Sequence, residues 1–167
     1  MKIDVAGVEA GQFEAFRQVV AALRGEHGCP WDKAQTFESL KPCMVNEMTE
    51  ALAGIDIYNS TGDAENLCEE LGDVLLQVVL FARIAQEEGL FTMEDVIRGI
   101  SRKMIRRHPH VFAEEQSTPE AQEVPGRWEE IKRAEKKNRT PLQEQQEKEA
   151  FERAARWITQ KLGETEK

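Results

Sequence analysis

The chain has 167 residues, 40% apolar and 32% charged, which suits one globular domain with room for an appendage. A formal net charge of −9 argues against a nucleic acid polymer as partner, although a divalent cation can reverse the local sign for a single nucleotide. No run approaches a membrane span, and MKIDVAGVEAGQFEAF lacks the basic and apolar regions of a signal peptide, so a cytoplasmic protein with no membrane partner is expected.

The pattern is helical almost throughout. Residues 11–24 carry Phe13, Phe16, Val19, Val20 and Leu23 at helical spacing. The stretch 25–35, GEHGCPWDKAQ, is broken by Gly25, Gly28 and Pro30 and reads as a loop. Thr36 or Ser39 is suited to cap a second helix running to about Tyr58, and NSTGD then turns the chain. A third helix spans about Ala64–Glu88 and ends at Gly89. A fourth runs from Thr92 to Arg107 and stops before Pro109. EEQSTPEAQEVPG is polar and holds two prolines, as a linker does. Beyond it, two charged helical patterns carry thin apolar stripes: Trp128 with Ile131, and Phe151 with Trp157 and Ile158. No segment alternates apolar and polar residues as a strand would. The expected architecture is therefore all-α: a helical bundle domain over 1–112, a linker over 113–126 and a helical extension over 127–167. Cys29, Cys43 and Cys68 are scattered and odd in number, which favours small buried thiols over a disulfide framework.

Two helices carry acids where apolar residues are expected. In the third, Glu70 and Asp73 are neighbours three positions apart, and Val74, Leu80, Phe81 and Ile84 fall on or beside their sector. Gln77 is the other polar residue there. In the second, Leu40, Met44, Ala51, Ile55 and Tyr58 lie within about 80° of Glu47 on a helical wheel, with Glu50 at the edge of the stripe. A single acidic pair at this spacing is ordinarily solvated surface. Two such pairs in the apolar sectors of neighbouring antiparallel helices would face each other, repel and lose hydration. A hard cation, Mg²⁺ or Mn²⁺, is the economical way to keep oxygen-only ligands ionised. A di-iron carboxylate bundle needs Glu-x-x-His, and no Glu lies three before His27, His108 or His110.

With these residues in view, the chain resembles the MazG-type nucleoside triphosphate pyrophosphohydrolases over most of residues 10–137. The family's EExxE and ExxD correspond to NEMTE at 46–50 and EELGD at 69–73. The resemblance extends to GCPWDKAQTFESLKP (28–42), LGDVLLQVVLFARIAQEEGLF (71–91), KMIRRHPHVF (103–112) and RWEEIKRAEK (127–136). It implies a single MazG-like domain, a four-helix bundle completed by formation of a homodimer or homotetramer. It also implies cleavage of NTPs or dNTPs between the α and β phosphates, giving NMP and pyrophosphate without a covalent intermediate. Glu47, Glu50, Glu70 and Asp73 would hold Mg²⁺, and Lys103 and Arg107 match phosphate-binding positions that complete the catalytic set. One departure is Asn46, which stands where the family has the first Glu of its motif. The rival reading is a non-catalytic, metal-stabilised interaction protein whose degenerate site is marked by Asn46.

Further substrate-binding candidates are weighed against plainer roles. Arg106 neighbours Arg107, and the plain reading of this basic turn is that it balances the helix dipole. Trp31 is suited to stack on a base or to anchor its loop, and Lys33 to reach a phosphate or stay solvated. Gln77 suits base binding or support of a carboxylate. HPHVF reads as a structural turn rather than a metal motif, and Glu65 and Glu69 as surface acids near a helix start.

Overall fold

The computed structural model describes residues 5–9, 11–112, 120, 122–137 and 139–165, and among them every regular element is helical. The chain divides into two compact units, one up to residue 96 and one from residue 97 on.

In the first unit α1 (Val5–Glu9) packs on α2 (Phe13–Leu23), and both α2 and α4 (Lys41–Thr61) pack on α5 (Glu65–Glu87). The apolar spacing expected of α2 buries Val20 completely and sets Phe13 and Phe16 against the core. That core joins Val20, Leu40, Val79, Leu80, Ile84 and Met93. Removing a large aliphatic side chain of this kind from water contributes about 1.5–3 kcal/mol. Phe37 and Phe81 stack nearly parallel beside it, with centroids 6.0 Å apart.

The loop after α2 holds a short helix, α3 (Pro30–Ala34), that its broken pattern did not announce; Pro30 starts it with a preset φ. Thr36 and Ser39 do not cap α4. Each side-chain oxygen accepts from the other's backbone N–H, at 2.9 and 3.1 Å, closing a turn of their own, and α4 starts later at Lys41-Pro42. The α5 terminus behaves as expected: Gly89 takes φ 70°, and Leu90 N–H reaches the Ala85 carbonyl at 2.9 Å. At the start of α6 (Met93–Arg107), Thr92 and Asp95 cap each other reciprocally. Arg17 ties α2 to that start through Glu94 at 2.6 Å.

Three expectations from the helical wheel and the cysteines need correction. Ile55 and Tyr58, placed in the α4 stripe, are exposed, because apolar residues lie all round α4 and this chain covers only one side. The thiols are free but not buried: Cys29 and Cys43 are half-buried, and Cys68, on the outer side of α5, is exposed.

The second unit contains the rest of α6, then α7 (Pro109–Phe112), α8 (Val124–Lys136) and α9 (Pro141–Thr165). Much of the expected linker, residues 113–119 and 121, lies outside the described residues, and α8 begins within the remainder.

At Gly54 the backbones of α4 and α5 come close. A Cβ there would lie 3.0 Å from Leu67 Cα and 3.1 Å from Asn66 Oδ1. Backbone cannot yield as a side chain can. Gly54→Val is therefore expected to destabilise the fold by about 1–3 kcal/mol despite removing a helical glycine, measured by denaturant unfolding.

Candidate functional site

The α4–α5 hairpin brings the two acidic pairs together through their inner members. One oxygen each from Glu47, Glu70 and Asp73 lie within 4.8 Å of one another, and all three residues are half-buried. Glu50 is exposed and outside this trio, but its negative charge acts on Glu47. Burial, followed by the negative charges of Glu50, Asp73 and Glu70, pushes the Glu47 carboxyl up from its ordinary value. Asn66 had not been singled out in the sequence. One turn before Glu70, it donates from Nδ2 to Glu70 Oε1 at 3.0 Å and fixes that carboxylate. Its i,i+4 spacing was the available signal. Three convergent hard oxygens with excess negative charge suit a divalent cation with oxygen preference. Asn46 is exposed and not part of the trio.

Gln77 lies one turn beyond Asp73 on the same face of α5. It is 6% exposed, and its Oε1 finds no hydrogen-bond partner among the described residues. A buried acceptor in that state is suited to a ligand or water proton. Trp31 is 61% exposed on α3, so it is not a buried anchor. Lys33 donates to the Glu26 carbonyl at 2.9 Å. What holds α3 is Arg24, whose side chain is only 6% exposed. Its Nη1 donates to the carbonyls of Asp32 and Gln35, and Nη2 pairs with Glu87 at 2.7 Å. Arg83 also binds Glu87. Burial pushes the Glu87 carboxyl up, but the two arginines outweigh it and hold it below its ordinary value.

In the second unit, Lys103 is exposed on α6, while the two arginines after it converge on one carboxylate. Glu135 of α8 accepts from Arg106 Nε at 2.7 Å and from Arg107 Nη2 at 2.6 Å. The Arg107 guanidinium also lies 4.8 Å from the Trp128 ring centre. Trp128 packs edgewise against His108, which donates from Nδ1 to the Met104 carbonyl at 2.7 Å. His108 is thus tied to α6 and Trp128, and His110 lies edgewise against His108 with ring centres 5.7 Å apart.

Residues 35–112 match the model of the MazG nucleotide pyrophosphohydrolase domain. The chain carries a MazG domain over that span. The MazG span contains Glu47, Glu50, Glu70, Asp73, Gln77, Lys103, Arg106 and Arg107, whereas Trp31 and Lys33 precede it and Glu135 follows it. An uncharacterized protein of Bacillus subtilis, YabN, is 52% identical over 125 residues, 75% of this chain and 24% of that protein. A Thermotoga maritima protein named nucleoside triphosphate pyrophosphohydrolase/pyrophosphatase MazG is 48% identical over 129 residues, 77% of this chain and 47% of that one. The chain thus spans about half of the latter and a quarter of the former. The crystal structure of a mazG-related protein from Thermotoga maritima superimposes with a TM-score of 0.56 at 28% identity, covering 72% of this chain and 98% of that one.

The Glu135 contact has a definite acid dependence. Hydrogen bonds from Arg107 lead, some desolvation opposes, and Arg106 adds, so the Glu135 carboxyl is lowered from 4.5 to about 2. A carboxyl lowered on folding contributes its stabilisation above its ordinary value and loses it as pH falls toward the folded value. Trp128 fluorescence, read with Trp31 and Trp157 replaced by Phe, is expected to hold steady from neutral pH down to 4.5 and then change on the way to about 2. Glu135→Gln should lack that transition.

Proposed function

We propose that the chain is a Mg²⁺-dependent nucleoside triphosphate pyrophosphohydrolase that cleaves NTPs or dNTPs between the α and β phosphates. The observation that carries this reading is the convergence of Glu47, Glu70 and Asp73 within 4.8 Å on the helix pair of a MazG domain. Those three would hold Mg²⁺, with Mn²⁺ an acceptable substitute, and Glu50 would complete the set from beside Glu47. When bound, the ion would supply positive charge that offsets the triphosphate's negative charge and favours attack by water on phosphorus. Asn66 keeps Glu70 turned into the set through its 3.0 Å hydrogen bond. Lys103, Arg106 and Arg107 match the family's basic positions and are proposed to bind phosphate oxygens, arginine by paired N–H groups and lysine as a point charge. Trp31 offers an exposed aromatic face to a base, and Gln77 an unpaired acceptor. No side-chain nucleophile is required, because phosphoryl transfer depends on positioning and charge. Nucleoside triphosphates are the partner in this reading, and the cytoplasm is where they are met.

Pyrophosphate release from a panel of NTPs and dNTPs tests the assignment. With Mg²⁺ the parent is expected to release pyrophosphate, and EDTA to abolish release. Asp73→Asn should lose activity by more than the roughly 10–100-fold typical of residues that merely support a ligand. Its metal-free stability should be equal or higher, because repulsion in the trio is relieved. Retained turnover in Asp73→Asn would refute the site. Asn46→Glu is expected to leave the metal dependence unchanged.

A homodimer or homotetramer belongs to the same proposal. Met48, Leu52 and Ile55 follow one another along α4 at helical spacing and are exposed, as are Leu71 and Leu75 on α5; Leu52 reaches 62%. Exposed apolar side chains in this number on two paired helices are characteristic of an interface. Leu52→Glu combined with Leu71→Glu should lower the mass measured by light scattering to that of a single chain. An unchanged mass would place the interface elsewhere.

A further inference from the structure

Arg106 and Arg107 are adjacent cations on long, flexible stems, each rich in rotamer entropy. Left alone they would repel and wander. The second unit restrains both from a single face of α8. Trp128 and Glu135 stand seven residues apart, two helical turns, and so point the same way. Trp128 covers the face of the Arg107 guanidinium at 4.8 Å, and Glu135 takes one edge, through Nε at 3.3 Å and Nη2 at 2.6 Å. Arg106 meets the same carboxylate through Nε at 2.7 Å. The Arg107 side chain is 13% exposed under these contacts. A guanidinium has five N–H donors, and Glu135 uses two of those on Arg107. The trio also keeps a net charge of +1.

We propose that Glu135 is a positioning residue. Its carboxylate bridges Arg106 and Arg107 so that their remaining N–H groups are presented, pre-ordered, to the phosphates of a nucleoside triphosphate. The assignment rests on the reading above in which Arg107 contacts phosphate. Restraint before binding lowers the entropy lost on binding, so the effect falls on affinity. The chemistry after binding is untouched, because Glu135 itself meets no reacting atom.

The test is steady-state pyrophosphate release by the full chain, using the triphosphate of the panel that the parent hydrolyses fastest. Glu135→Gln keeps the shape and loses the charge; it is expected to raise KM about tenfold with kcat nearly unchanged, the scale typical of supporting residues. Glu135→Asp keeps the charge with a shorter reach and should raise KM less, and it serves if the Gln variant fails to fold by circular dichroism. A fall in kcat at constant KM would mean that Glu135 only holds α8 in place, and would overturn the assignment. So would unchanged kinetics. A fall in KM would also overturn it, making Glu135 a competitor of the phosphate. Arg107→Ala separates the two levels: a parent-like KM there removes the phosphate role of Arg107 itself, whereas a raised KM beside a normal Glu135→Gln removes only the role of Glu135.

Discussion

Like charge held at close range is the constraint on which the first unit depends. Glu47, Glu70 and Asp73 approach within 4.8 Å although each would be better hydrated apart. The surrounding packing makes that approach unavoidable. Gly54 lets α4 and α5 touch backbone to backbone near Leu67, and Ala51 keeps the same face of α4 thin. The core around Val20, Leu40 and Leu80 anchors the far side of the pair. Asn66 sits where both demands meet: its Oδ1 lies against Gly54 and its Nδ2 holds Glu70. Packing and electrostatics therefore share one small side chain.

The second unit solves the opposite problem with the same tools. Positive charge is concentrated at the end of α6, and α8 answers with one carboxylate and one aromatic face. Arg24 in the first unit follows a related logic. It is buried because backbone carbonyls of the α3 loop and the carboxylate of Glu87 together satisfy its donors. Arg24 and Arg107 each have a carboxylate partner, whereas the carboxylate trio, whose members share one sign, is suited to a cation.

The sequence was legible where the signal was periodic and local. The α2 and α5 apolar faces, the Gly89 terminus and the start of α6 at Thr92 all follow from spacings of a few residues. So did the unusual position of Glu47, Glu70 and Asp73. Glu50 lay at the edge of the predicted stripe and emerges exposed. What local spacing hid was long-range. Arg24 finds Glu87 across 63 residues and Arg107 finds Glu135 across 28, and no helical wheel brings such pairs together. Thr36 and Ser39 show a subtler failure. They are good caps by type, but they satisfy each other's backbone and leave α4 to begin at a proline. Ile55 and Tyr58 misled because periodicity reports which residues are apolar, not which face the rest of the chain can cover.

The short turn between α4 and α5 has a kinetic consequence. Only 23 positions separate Glu47 from Glu70, so the two helices that carry the acids can meet early, through a contact of low sequence separation. The repulsion between those acids is then present while the hairpin is forming, not only after the core has closed around it. Whatever cation neutralises the trio acts on the collapsing chain as well as on the finished fold. Its presence would speed assembly of the hairpin, in addition to slowing its loss.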